Sequence, residues 1–164
     1  MLSEYLNLQT ILCPTTGITK ADVIGELTGL LAAQYHLKNP DKLQKLILAR
    51  EKVGSTFLPI GIAMPHARIP DLDGIKMVMG VLPQGLIENI DENKYPIYVV
   101  LLFLTPSTDE FFGAHLQLLA RISALFHDAT LVQHIAQAES AAQVLQLLQQ
   151  AEAALVPIQA ASSS

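Results

Sequence analysis

Residues 97–104 read IYVVLLFL, and residues 75–82 read IKMVMGVL. Both are short, bounded apolar runs rich in β-branched residues, and neither alternates between polar and apolar positions. A strand with one wet face would alternate, so these runs predict strands covered on both faces. The stretch between them, PQGLIENIDENKYP, carries turn residues, with room for one edge strand.

Helical patterns flank this block. Upstream, Thr19 and Asp22 fit a capping box, and Val23, Ile24, Leu27, Leu30, Leu31 and Tyr35 recur at helical spacing. Asn39-Pro40 restarts the pattern with an N-cap acceptor and a proline suited to the first helical position. Leu43, Leu46, Ile47 and Val53 form the second stripe. Downstream, helices are expected at 115–126 (on Leu116, Leu119, Ile122 and Phe126), at 129–137, and at 140–152, where Ser140 and Gln143 form another capping pair. Helices on both sides of an apolar strand block predict a single-domain three-layer α/β sandwich, a mixed β-sheet flanked by helices. The domain is expected over residues 1–152, with a flexible tail over 153–164.

Composition narrows the function. Of the 164 residues, 51% are apolar and 15% charged, which suits a chain that buries a real core. The formal net charge is −5 with scattered basic residues, which argues against a nucleic-acid partner. One cysteine, Cys13, leaves no intrachain disulfide and fits a reducing compartment. The N-terminal stretch MLSEYLNLQT lacks the pattern of a signal peptide, and an eight-residue apolar run is far short of the roughly 20 a spanning helix needs. The expectation is a cytoplasmic protein without membrane insertion.

The histidines differ in context. His127 and His134 read as solvated surface residues and His36 as part of a helix ending; none has the companions of a metal site. His66 stands in GIAMPHARIP (61–70), directly behind Pro65, which fixes its own φ and cannot donate to a ladder. A histidine at such a strand end sits where α/β folds bind ligands, and a neutral imidazole is a competent nucleophile. Arg50 and Arg68 would pair with an anion, and Ser55 and Thr56 offer hydroxyl donors. The plain alternative is an exposed loop histidine that caps a carbonyl. His115, after Gly113 in TPSTDEFFGAHLQLL, stands at a helix start where free amides favour an anion, or else merely caps. Cys13 before Pro14 reads as inert, and Asp71 and Asp73 as turn residues. No phosphate-binding glycine loop or nucleophile elbow is present.

AREKVGST (49–56), GIAMPHAR (61–68), FLTP (103–106) and AHLQLLARIS (114–123), in this order, resemble the enzyme IIA domain of the fructose/mannitol type. That domain belongs to the bacterial phosphoenolpyruvate-dependent sugar phosphotransferase system, and the type includes stand-alone nitrogen-regulatory members. The resemblance covers roughly residues 5–150. It implies that His66 accepts a phosphoryl group from the histidine phosphocarrier protein and passes it to an enzyme IIB or uses it for regulation. It implies active-site support from His115 and Arg50, and no metal or organic cofactor. One departure stands out: relatives carry a glycine-rich linker where this chain has Phe57-Leu58-Pro59-Ile60, which would reshape the site rim or expose an apolar partner surface. That keeps a rival reading open, a regulatory interaction module without phosphoryl transfer. A small-molecule sensing domain rests on fold class alone.

Overall fold

The two apolar runs form one long antiparallel hairpin, β5 (Lys76–Ile90) and β6 (Asn93–Pro106). The computed structural model that shows this describes the backbone of residues 1–162 and side-chain environments through residue 155. Residues 83–96, expected as turns with an edge strand, instead continue both strands. Asp91 and Glu92 close the hairpin with φ of 48° and 68°, the left-handed pair a tight two-residue turn requires. A register shift between Val81 and Leu86 marks a bulge. There Gly85 takes φ 75°, and a Cβ would lie 3.0 Å from the Tyr98 ring.

The strand order is β1-β5-β6-β3-β2, where β1 is Ile11–Leu12, β2 is Phe57–Leu58 and β3 is Ile62–Ala63. A further strand, β4 (His66–Ile69), also pairs with β6 in parallel. Ile62 opposes Val99 and His66 opposes Phe103, so β3 and β4 form one row in a single register. The row is broken at Met64–Pro65, where proline has no N–H to donate.

Strand β6 explains why both apolar runs lack alternation. Val99, Leu101 and Phe103 pack into one core layer, while Val100, Leu102 and Leu104 pack into the other. The first layer is closed by α3 (Phe112–Leu125), α4 (Ala129–Ala136) and α5 (Ala141–Ser162). The second is closed by α1 (Lys20–Tyr35) and α2 (Pro40–Val53). The three-layer sandwich with a mixed sheet is therefore present as expected. No helix among the described residues is long and apolar enough to cross a membrane.

Local signals held in part. Thr19 and Asp22 form a complete capping box at α1, and Pro40 opens α2. Asn39, however, adopts φ 56° and makes no side-chain cap. The α2 stripe is also shifted: Ile47 and Glu51 are buried, whereas Leu46 and Val53 are exposed. In α3 the inward face carries His115, Leu118, Ile122 and Leu125, and Leu116 is half exposed. The expected tail begins inside α5, whose Leu155 still packs partly against the core. Its last residues, 163–164, lie outside the described residues.

Candidate functional site

The break at Pro65 and the first turns of α3 meet over Phe103. His66 opens β4 and, far from being an exposed loop residue, is 7% exposed. Strand parity puts it on the same sheet face as its cross-strand partner Phe103. The two rings stack with centroids 4.8 Å apart and 2° between planes. Its Nδ1 lies 2.7 Å from the carbonyl oxygen of Met64. A carbonyl only accepts, so Nδ1 carries the proton and donates, and in the neutral ring Nε2 holds the free lone pair. Burial is the main cause that lowers the His66 pKa below its ordinary 6.5; the Met64 bond opposes it, Arg50 adds to it and Glu51 opposes it. The ring is thus held neutral at neutral pH.

His115 reaches the same place from α3. It is also 7% exposed, and its ring centroid lies 5.4 Å from that of His66. Its Nδ1 is 2.9 Å from Oγ1 of Thr105, a fully buried residue of β6. Desolvation first, then the charges of His66 and Arg68, push its pKa down. The helix-end expectation is corrected in one respect. A short 3-10 turn, Asp109–Phe111, runs into α3, and the Phe112 N–H is already bonded to the Asp109 carbonyl. His115 is the fourth residue of α3, still in its first turn, and faces the core.

Two arginines complete an open cleft of about 410 Å³ lined by Leu46, Arg50, His66, Ala67, Arg68 and His115. Arg50, in the last turn of α2, donates from Nη1 to the Gly54 carbonyl at 3.1 Å. Arg68 donates to the Thr108 carbonyl at 3.3 Å, lies 5.1 Å over the Phe112 ring, and keeps a buried Nε with no partner among the described residues. Positive charge without a carboxylate on the cleft wall suits a phosphoryl group. Leu46, Phe112 and Leu116, each about half exposed, give the surroundings an apolar character.

The hydroxyl candidates are placed elsewhere. Ser55 donates to Glu88 at 2.9 Å and receives Lys20 at 3.0 Å, and Thr56 is not among the cleft-lining residues, although its carbonyl accepts from Met64 N–H at 2.8 Å. The Phe57–Ile60 stretch is not an exposed apolar surface either. Phe57, Leu58 and Ile60 are half-buried against the two core layers, and Phe57 packs on Tyr95 at 5.2 Å. Gly61 turns the chain there with φ 108°. His36, His127 and His134 are exposed, and no group of three potential metal ligands occurs among the described residues. Sequence reasoning missed Thr105 and Phe103 as the supports of the two rings. Period-two alternation from Phe103 to Thr105 was the signal that could have found them.

Comparisons with known proteins identify the family and the fold. The family model described as "Phosphoenolpyruvate-dependent sugar phosphotransferase system, EIIA 2" matches residues 4–151. A nitrogen regulatory protein of Bradyrhizobium diazoefficiens is 32% identical over 119 residues, covering 71% of this chain and 74% of the relative. The fructose-specific EIIABC component of Bacillus subtilis is 27% identical over 150 residues, covering 91% of this chain and 23% of that longer protein. Among solved structures, the nitrogen regulatory protein IIA-Ntr of Neisseria meningitidis superposes with a TM-score of 0.78 at 24% identity, covering 90% of this chain and 98% of that one. The enzyme IIA for mannitol of Escherichia coli, solved with phosphorylated enzyme IIB, gives 0.71 at 21% identity, covering 88% and 97%.

Proposed function

Because the chain belongs to the EIIA 2 family of the phosphoenolpyruvate-dependent sugar phosphotransferase system, we propose that it is a cytoplasmic phosphocarrier whose acceptor atom is Nε2 of His66. The donor is the histidine phosphocarrier protein. The phosphoryl group then passes to an enzyme IIB or sets the binding of a regulated protein. The observation that carries this reading is the fixed tautomer of His66. Its Nδ1–H is committed to Met64 and its ring is stacked on Phe103, so the lone pair of Nε2 is the reactive one.

In the transfer, the Nε2 lone pair forms a bond to phosphorus as the donor's P–N bond breaks, and that electron pair returns to the donor ring. His66 keeps its Nδ1 proton and gains positive charge, which the Met64 carbonyl stabilises. Arg50, Arg68 and His115 face the phosphoryl oxygens, and positioning with electrostatics supplies the catalysis. Where Nδ1 of His115 accepts from Thr105, its Nε2–H is left to donate to an oxygen. Ser55, with its hydroxyl held by Glu88 and Lys20, has no part in this mechanism. An open cleft amid half-exposed apolar residues suits a protein donor better than a small metabolite. The nitrogen regulatory name of the 32%-identical relative supports a regulatory use of the phosphoryl group.

The test is intact mass after incubation with phosphoenolpyruvate, enzyme I and the histidine phosphocarrier protein. An acid-labile gain of one phosphoryl group, absent in His66→Gln, is expected. No gain by a folded protein would overturn the reading and leave the interaction module.

A further inference from the structure

On the other face of the sheet, behind Pro65, lies a buried charged cluster. Lys20, the first residue of α1, places Nζ 2.8 Å from Glu51 Oε2, 2.9 Å from Glu88 Oε1 and 3.0 Å from Ser55 Oγ. Ser55 also donates to Glu88. The side chains of Glu51 and Glu88 are 6% and 13% exposed. A small cavity walled by Lys20 and Glu88 also has Ala63 and Pro65 as walls, so the cluster abuts the backbone that leads into His66. Glu51 has that single ion pair with Lys20, and its Oε1 has no hydrogen-bond partner among the described residues. One ammonium thus faces two carboxylates, and Glu51 is the less satisfied of them. Burial in place of the exposed Val53, in a stripe with Ile47, needs a reason beyond packing.

Glu51 adjoins Arg50 in the last turn of α2, and its charge reaches His66 with the opposite sign to that of Arg50. We propose that Glu51, anchored by Lys20, is a positioning residue for the phosphoryl acceptor: it pins the α2 end that carries Arg50 and sets a negative charge beside that arginine, which offsets its cation as positive charge develops on the imidazole. This rests on the acceptor reading of His66. The charged and titratable groups around His66 are Arg50 from α2, Arg68 from β4 and His115 from α3 in the cleft, with Glu51 of α2, held by Lys20 of α1, acting from outside it; β6 contributes the uncharged Phe103 and Thr105. Among them Glu51 alone is an anion.

The experiment follows the His66 ring by NMR across a pH titration of the unphosphorylated protein, which needs no donor, and measures phosphoryl acceptance alongside. Glu51→Gln moves the His66 midpoint down and slows acceptance about tenfold. Arg50→Gln moves the midpoint up. Glu88→Gln, which disturbs the same cluster but is not among the groups acting on His66, costs stability and leaves the midpoint in place. Should Glu51→Gln fail to fold, Glu51→Met, which fills the same buried stripe without a charge, shows the same downward movement. An unmoved or raised midpoint in the folded variant overturns the proposal, because mere loosening of α2 would hydrate the ring and raise it. A shifted midpoint in a protein that accepts no phosphoryl group refutes the acceptor reading instead.

Discussion

His66 and His115 on one side, His127 and His134 on the other, form two pairs of one residue type with opposite fates. The second pair lies seven residues apart at the ends of α3 and α4, exposed, with His127 Nε2 3.2 Å from Asp128 in solvent. The first pair lies 49 residues apart in sequence, yet its rings meet at 5.4 Å because β4 and α3 both pack on β6. Each cleft ring has one nitrogen fixed, by Met64 or by Thr105, and is desolvated enough to stay neutral. The comparison teaches that chemistry here comes from the support beneath the ring.

Removing the rings tests this first. His66→Gln abolishes phosphoryl labelling, whereas His127→Gln with His134→Gln leaves it unchanged in the same mass assay. His66→Ala also costs about 1–3 kcal/mol in denaturant unfolding, since a buried ring and its hydrogen bond are lost. A next effect belongs to His115. Its alanine variant still accepts the phosphoryl group but passes it on about a hundredfold more slowly in rapid-quench transfer to an enzyme IIB. Unchanged kinetics would leave His115 a packing residue of α3.

The smallest effect is on stability against pH. Both cleft histidines have folded pKa values below 6.5. The unfolded chain therefore binds more protons than the folded one below that pH. Stability is fully present above about pH 6.5 and is lost progressively as pH falls through the folded values. Denaturant melts of the His66→Gln, His115→Gln double variant should show a flatter decline below pH 6.5 than the parent; an equal slope would assign the decline to other groups.

Much of this was legible in the chain, and each miss has a physical cause. The two apolar runs predicted the buried strands, and Thr19 with Asp22 marked the start of α1. The motif residues Arg50, His66, Arg68 and His115 meet in one cleft. Apolar residues alone phase α3 on Leu116 and Leu119 with Ile122, and α2 on Leu46 and Val53 with Ile47; of these, Ile122 and Ile47 are buried. Counting His115 with Leu118, Ile122 and Leu125, and Glu51 with Ile47, gives the faces that are buried. In α2 and α3 the polar residues that share the core stripe, Glu51 and His115, lie at or beside the cleft. The long hairpin was hidden by proline, glycine and acidic residues in 83–96, which a two-stranded ribbon running beyond the covered sheet tolerates. Burial of His66 followed from pairing with Phe103, a contact 37 residues away that no local pattern encodes.

The central claim is that the fold presents Nε2 of His66 as the phosphoryl acceptor. Long-range nitrogen–proton NMR of the phosphorylated, nitrogen-15-labelled protein tests it most directly. The account predicts phosphorus on Nε2 of His66, with Nδ1 still protonated and bonded to Met64. Phosphorus on Nδ1, or on another residue, would contradict it.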